Sequence, residues 1–296
     1  MFAPLFFYIF IYPITLLPFR VIYLLSDGLY YLIYYLIPYR KSVVINNLKN
    51  SFPGKTNAEI KEIAKKYYRH FCDLTVESFK MFTITEEELK KRFIFRNTEV
   101  IEKLYNQKRS IILAGGHYNN WEVLAVACKQ GLPHKCLALY KPLKNKWFDK
   151  TMRQSRGRFG LHMWPIHEVK EMFESEKENL TLSIFAIDQS PSKASRCHWT
   201  KFLNQETGVS FGSEKYAKEN NYPVVYGRIL KLKRGHYCLE ADLVTETPQN
   251  EPHGKILEDL TKLLEKDIIR QPEYWLWSHK RWKRKKPNPV SIDTAV

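Results

Sequence analysis

The stretch AGGHYNNWE sets a histidine, His117, directly after two glycines and a glutamate, Glu122, five residues further on. Along one regular helix of 3.6 residues per turn, a separation of five turns two side chains about 140° apart. The pair therefore meets only if His117 stands in a turn and Glu122 inside the helix that follows. In that geometry the carboxylate fixes the imidazole tautomer and stabilises the imidazolium, and the second ring nitrogen takes a proton from an acceptor hydroxyl or amine. Between Tyr140 and Arg158 the chain offers Lys141, Arg153, Arg156 and Arg158. These suit phosphorylated groups, or form a solvated helix face; Arg153 and Arg156 share a face at i, i+3. HYNNWE is not HExxH, yet His134, His162 and His167 leave a metal-dependent lipid hydrolase as a rival. No nucleophile elbow, Walker sequence or dinucleotide glycine fingerprint is present.

Several elements must position these side chains. SIILAGG, ending at Gly116, reads as a buried strand running into a turn, which puts His117 at the carboxyl edge of a sheet. Similar runs end at Tyr140 and at Asp188-Gln189, and another starts at Pro223. Helical patterns at 145–159, 168–178 and 213–220 separate them, so the expected fold is α/β with a mainly parallel central sheet flanked by helices. YCLEADLV alternates and adds a candidate antiparallel strand, and HGKILEDLTKLLEKDIIRQP closes the chain with an amphipathic helix ended by Pro272. Thr56 followed by Glu59, and Thr85 followed by three acids, read as helix starts.

At 296 residues the chain holds one large α/β unit or about two domains. A formal net charge of +16 points to anionic partners: phospholipid, phosphorylated substrate, an acidic carrier or nucleic acid. Five scattered cysteines, never spaced as CxxC, fit buried thiols in a reducing compartment. From Met1 to Pro38 only Arg20 and Asp27 are charged. The two apolar halves read as an uncleaved anchor over residues 1–39, either near spanning length or lying in the interface, with residues 40–296 as the second domain on the cytoplasmic side of Arg40-Lys41. A buried hairpin of a soluble protein is the alternative, since Arg20 and Asp27 interrupt a spanning helix. SHKRWKRKKP carries six basic residues between Lys280 and Lys286, suited to an anionic membrane surface. A non-catalytic basic protein binding membrane or nucleic acid is the remaining rival.

GGHYNNWEV resembles the histidine-four-residues-acid motif, in its glutamate form, of the lipid A biosynthesis (lauroyl/myristoyl) acyltransferase family in the lysophospholipid acyltransferase superfamily. RKSVVINNLKNSFP is similar to the segment after that family's membrane anchor, and YKPLKNKWFDKTMRQSRGRFGLHMWP to the stretch after its motif. AIDQSPSK resembles its third block and PEYWLWSHKRWK its closing segment PEQxxWxHRRxK, so the likeness covers nearly the whole chain. The resemblance implies transfer of a fatty acyl group from an acyl-carrier-protein or CoA thioester to a lipid acceptor at the bacterial inner membrane. It makes His117 the general base and Glu122 its orienting partner, with no covalent intermediate. Tyr140, Lys141, Arg153, Arg156 and Arg158 would bind substrate, and Asp188 and Gln189 would line the acceptor site. Backbone amides near Gly115 and Gly116, or a cationic side chain, would meet the oxyanion. This reading needs no cofactor, metal or nucleic acid, and leaves the acceptor open among lipid A precursor, aminolipid, sulfonolipid and phosphatidylinositol mannoside.

Overall fold

A computed structural model describes residues 2–287. The amino-terminal apolar segment forms α1 (Phe2–Phe6) and α2 (Tyr12–Leu16), joined by a π-helical turn, and then α3 (Phe19–Tyr31), which runs into a second π turn. Leu17 precedes Pro18, which excludes it from helical backbone. Its ψ of 146° breaks the rod, and the helix direction bends by 120° there. Among the described residues no single helix is long and apolar enough to cross a membrane; the arms pass that test only as a bent pair.

One stripe of α3 (Phe19, Ile22, Ser26, Tyr30) is buried at helical spacing. It lies against the long α5 (Asn57–Lys80), which follows α4 (Lys41–Ser51). The start of α5 at Thr56-Glu59 is a full capping box. Ser26 donates to Asp73 of α5 at 2.8 Å, and Asp27 pairs with Arg234 at 2.6 Å. Asp27 is thus neutralised against the rest of the chain. The opposite face leaves Leu24 and Leu36 70% and 75% exposed, beside exposed Leu5, Phe6, Ile9, Phe10 and Tyr31.

Beyond α5 come α6 (Glu86–Arg92), β1 (Phe93–Phe95), α7 (Glu99–Asn106), β2 (Ile111–Gly115), α8 (Trp121–Gly131) and β3 (Lys135–Tyr140). The chain continues through α9 (Lys146–Gly157), β4 (His162–Pro165), α10 (Val169–Ser175), β5 (Thr181–Ala186), β6 (His198–Phe202), β7 (Gln205–Val209), α11 (Gly212–Asn220), β8 (Val224–Lys233), β9 (His236–Thr245) and α12 (Lys255–Arg270). Seven strands form one sheet in the order β1-β9-β8-β2-β5-β3-β4, and β6 and β7 form a separate hairpin. Every pairing in the large sheet is parallel except β8 with β9. The strand runs and their intervening helices match the sequence expectation.

Alternation along β2 fixes what lies on each face. Ile111 and Leu113 pack with Val123, Val126 and Ala127 of α8. Ile112 and Ala114 pack with Ala217 of α11 and Leu260 and Leu264 of α12. Each buried Val, Leu or Ile among these contributes about 1.5–3 kcal/mol, so β2 is held from both sides and its carboxyl end is a rigid platform. All five cysteines are free and buried.

The basic tail is less free than its composition suggests. Arg281 is buried and donates to the Gly208 carbonyl, Trp282 Nε1 donates to Thr207, Arg284 donates to the Ser192 carbonyl, and Lys286 pairs with Glu206. The segment clamps the β6–β7 hairpin, leaving Lys280, Lys283 and Lys285 facing solvent without an ion pair among the described residues.

Candidate active site

Strand register brings the chemistry together. β2 and β5 are neighbours with Gly115 opposite Ala186, and Ile187 N–H donates to the Gly115 carbonyl at 2.9 Å. Two residues past that pair on each strand stand His117 and Asp188. His117 Nδ1–H donates to Asp188 Oδ1 at 2.7 Å, and the His117 backbone N–H donates to Oδ2 at 2.7 Å. Trp275 Nε1 also donates to Oδ2, at 2.8 Å. This lies at the carboxyl edge of a parallel sheet, between strands whose connections depart to opposite sides, where open α/β folds form ligand crevices.

Gly116 allows the approach: a Cβ there would sit 2.7 Å from Leu264 and 3.2 Å from Asp188 Oδ2. The turn itself is stapled from several directions. Tyr118 hydroxyl bonds the carbonyls of Asp267 and Gln271, Asn119 adopts positive φ and donates to the Ile229 carbonyl, and Asn120 caps α8 by accepting from Val123 N–H. Asn120 Nδ2 in turn donates at 2.5 Å to the buried Glu77, whose carboxyl is pushed up to about 7 by burial and by the nearby charge of Asp73.

Burial would raise the Asp188 carboxyl, but His117 and the two further N–H donors outweigh it and hold the group at about 2. The His117 imidazole is moved the other way. Burial alone would lower it, and the adjacent Asp188 charge, aided by Glu122, raises it above the ordinary histidine value. With Nδ1–H committed to Asp188, Nε2 carries the lone pair. It borders a small cleft lined by His117, Asp188, Gln189, Trp275, Leu276 and His279. Gln189 Nε2 donates to His117 Nε2 at 3.3 Å, so an amide stands where an incoming hydroxyl would donate.

Here the geometry corrects an expectation. His117 does stand in a turn and Glu122 in the first turn of the following helix, yet Glu122 points at α9. It takes a two-point pair from Arg156, Nε to Oε2 at 2.9 Å and Nη2 to Oε1 at 2.6 Å. The carboxylate that orients His117 is Asp188, expected above only as part of the acceptor-site lining. Glu122 and Arg156 remain close enough to shift His117 in opposite directions.

The other cations diverge. Arg153 pairs with Asp149 at 3.4 Å, and Tyr140 donates to the same carboxylate at 3.3 Å. Lys141 is exposed in the loop after β3. Arg158 donates to the carbonyls of Met81, Phe82 and Ile84, tying α9 to the end of α5. Its guanidinium is engaged with backbone, so Arg156 alone of the four sits beside the histidine. Among the described residues no group of His, Cys, Asp and Glu converges to hold a metal ion. His134 donates to the Arg109 carbonyl and His167 pairs with Glu168, both apart from the site. Trp275 and His279 were not singled out from sequence; their signal was the closing segment PEYWLWSHKRWK, which also donates to Asp188 and borders the cleft.

A family model described as bacterial lipid A biosynthesis acyltransferase matches residues 2–284, nearly the entire chain. The chain belongs to the bacterial lipid A biosynthesis acyltransferase family. Similar proteins include the lipid A biosynthesis lauroyltransferase of Escherichia coli (strain K12), 23% identical over 287 residues, 90% of this chain and 87% of the relative. The lipid A biosynthesis palmitoleoyltransferase of the same organism is 19% identical over 255 residues, 86% of this chain and 82% of the relative. A lipid A biosynthesis acyltransferase of Shigella flexneri matches at the same identity and coverage. Membership in the lipid A biosynthesis acyltransferase family makes the chain an acyltransferase.

Proposed function

We propose that the protein transfers a fatty acyl chain from an acyl-carrier-protein or CoA thioester to a hydroxyl or amine of a lipid A-type acceptor, with His117 as general base. The observation that carries this reading is an imidazole whose Nδ1 is held by a buried carboxylate while its Nε2 opens on a cleft. The acceptor oxygen bonds to the thioester carbonyl carbon as its proton passes to His117 Nε2. The carbonyl π pair moves onto oxygen. When that oxyanion collapses, the carbon–sulfur bond breaks and the thiolate takes the proton from the imidazolium. Asp188 stabilises the imidazolium between the two steps. Gln189 contacts the acceptor, and Glu122 holds Arg156 beside the site for a phosphorylated head group or the phosphopantetheine arm. Tyr140, Lys141 and Arg153 extend that polar wall along α9.

Residues 1–39 serve as the anchor at the bacterial inner membrane, and the acyltransferase domain, residues 40–296, faces the cytoplasm; residues 288–296 lie outside the described structure. The bent hairpin supports an interfacial rather than spanning anchor, since its outer face is apolar and its inner face is bonded to α5. Phe7 packs on Trp147 of α9 at 5.3 Å between ring centroids, which sets the apolar patch beside the helix that carries Arg156. An acceptor lying in the anionic leaflet would then present its head group to the cleft.

The test uses the purified full chain in anionic nanodiscs, with lauroyl-acyl carrier protein and an under-acylated lipid A precursor. Thioester consumption should be matched by a lipid product heavier by one acyl chain. Because His117 must be neutral to accept the proton and its titration is raised, kcat/KM should climb with pH along a limb centred above the ordinary value of about 6.5. Thioester consumption without a heavier lipid would sink the transfer reading. The same ion pair sets stability oppositely at its two ends. The His117 contribution is full below about 6.5 and fades as pH rises through its raised value; that of Asp188 is full above about 4 and fades as pH falls towards 2.

A further inference from the structure

The acyl-transfer reading leaves the developing oxyanion without an assigned partner, and the hydrogen bonds around the cleft narrow the choice. The His117 backbone N–H is committed to Asp188 Oδ2, that of Ile187 to the Gly115 carbonyl, and Trp275 Nε1 to Asp188. The Ser190 backbone N–H donates to His279 Nε2 at 3.2 Å. Gln189 Nε2 faces His117 Nε2. An amide donating to Nε2 requires that nitrogen to hold its lone pair, so the neutral His279 ring carries its hydrogen on Nδ1. No protein acceptor takes that hydrogen among the described residues, and the ring is part of the cleft wall with His117 and Asp188.

We infer that His279 is a second catalytic histidine, whose Nδ1–H binds the thioester oxygen as negative charge develops on it. The inference rests on the acyl-transfer reading above. Its placement follows from the chain: Asn47 Nδ2 donates to the carbonyls of Trp277 and His279, at 2.9 and 3.0 Å, and Arg40 donates to the Ser278 carbonyl. The Ser278 N–H donates to the Tyr67 hydroxyl. The backbone carrying His279 is therefore fixed before substrate arrives, as electrostatic stabilisation requires. Burial lowers the titration of His279 against the opposing pull of the Asp188 charge, with His117 adding to the fall, which favours a neutral ring.

The experiment compares His279→Ala, His279→Asn and His279→Gln in the same nanodisc assay, with His117→Ala as the inactive control and thermal unfolding as the check on folding. Asparagine sets its amide N–H near the position of Nδ1, whereas glutamine sets its amide near Nε2 and can still accept from Ser190. The inference predicts that alanine lowers kcat about 10²–10³-fold with KM for lauroyl-acyl carrier protein little changed. Asparagine should restore at least about tenfold over alanine and glutamine should not. Glutamine restoring as much as asparagine would assign His279 to holding the Ser190 loop and overturn the inference, as would an alanine variant at the wild-type rate. Either result leaves transfer itself intact, because the wild type and the His117→Ala control report on that separately.

Discussion

His117→Ala is expected to lower acyl transfer by about 10³–10⁴-fold, at the upper end of what a general base supplies. Within the cleft, Nε2 of His117 is the titratable atom whose ring is oriented by a carboxylate, and a substrate hydroxyl reaches it by displacing the Gln189 amide. The nearby imidazole of His279 has its Nε2 engaged by Ser190 and cannot replace it. The fold should survive, since Asp188 keeps the donors from the His117 backbone and Trp275. Loss of the third donor costs about 1–3 kcal/mol, readable as a modest fall in Tm. A folded variant that turns over at the wild-type rate would remove the assigned base.

Asp188→Asn is the second large effect. Both the His117 backbone N–H and Trp275 Nε1 point at Oδ2. In the variant the amide oxygen must take that position, and the amide nitrogen is turned towards His117 Nδ1. The imidazole is then driven to the opposite tautomer, with hydrogen on the nitrogen that should accept. Activity is expected to fall about 10²–10⁴-fold, and the remaining rate should show its acid limb moved to lower pH because the charge that raised the imidazole is gone. Unchanged activity in a folded Asp188→Asn protein would leave Asp188 a purely structural cap.

The difference between Asp188 and Glu122 also marks what sequence carries and what it does not. SIILAGG is a run of strand formers stopped by glycines, so the place of His117 at a strand end is a local property. LSIFAID ends in Asp188 for the same reason. That these two ends lie side by side depends on β5 pairing with β2 ahead of β3, a choice made by packing across 71 residues of chain. A neighbour five positions away is visible in sequence; one brought in by strand order is not. Glu122 falls in the first turn of α8 as expected, but the partner facing that turn is Arg156, which arrives with α9.

The β6–β7 hairpin was equally hidden. Its turn places Leu203 and Asn204 both at positive φ, and leucine carries no signature of such a turn. The hairpin is held by Arg281 and Trp282, which composition alone assigns to a solvated basic tail. Arg158 shows the same limit, because nothing in RQSRGR says that three carbonyls at the end of α5 await one guanidinium. By contrast, the capping box of α5 and the Thr85 cap of α6 are set by residues within four positions and were legible.

The central claim is a hydrogen bond, and proton NMR of the ¹⁵N-histidine-labelled protein observes it directly. A strongly downfield imidazole N–H resonance assigned to His117 Nδ1, by its loss in His117→Ala, should persist in Glu122→Gln and vanish in Asp188→Asn. Persistence in Asp188→Asn together with loss in Glu122→Gln would contradict the account and return the orienting role to Glu122.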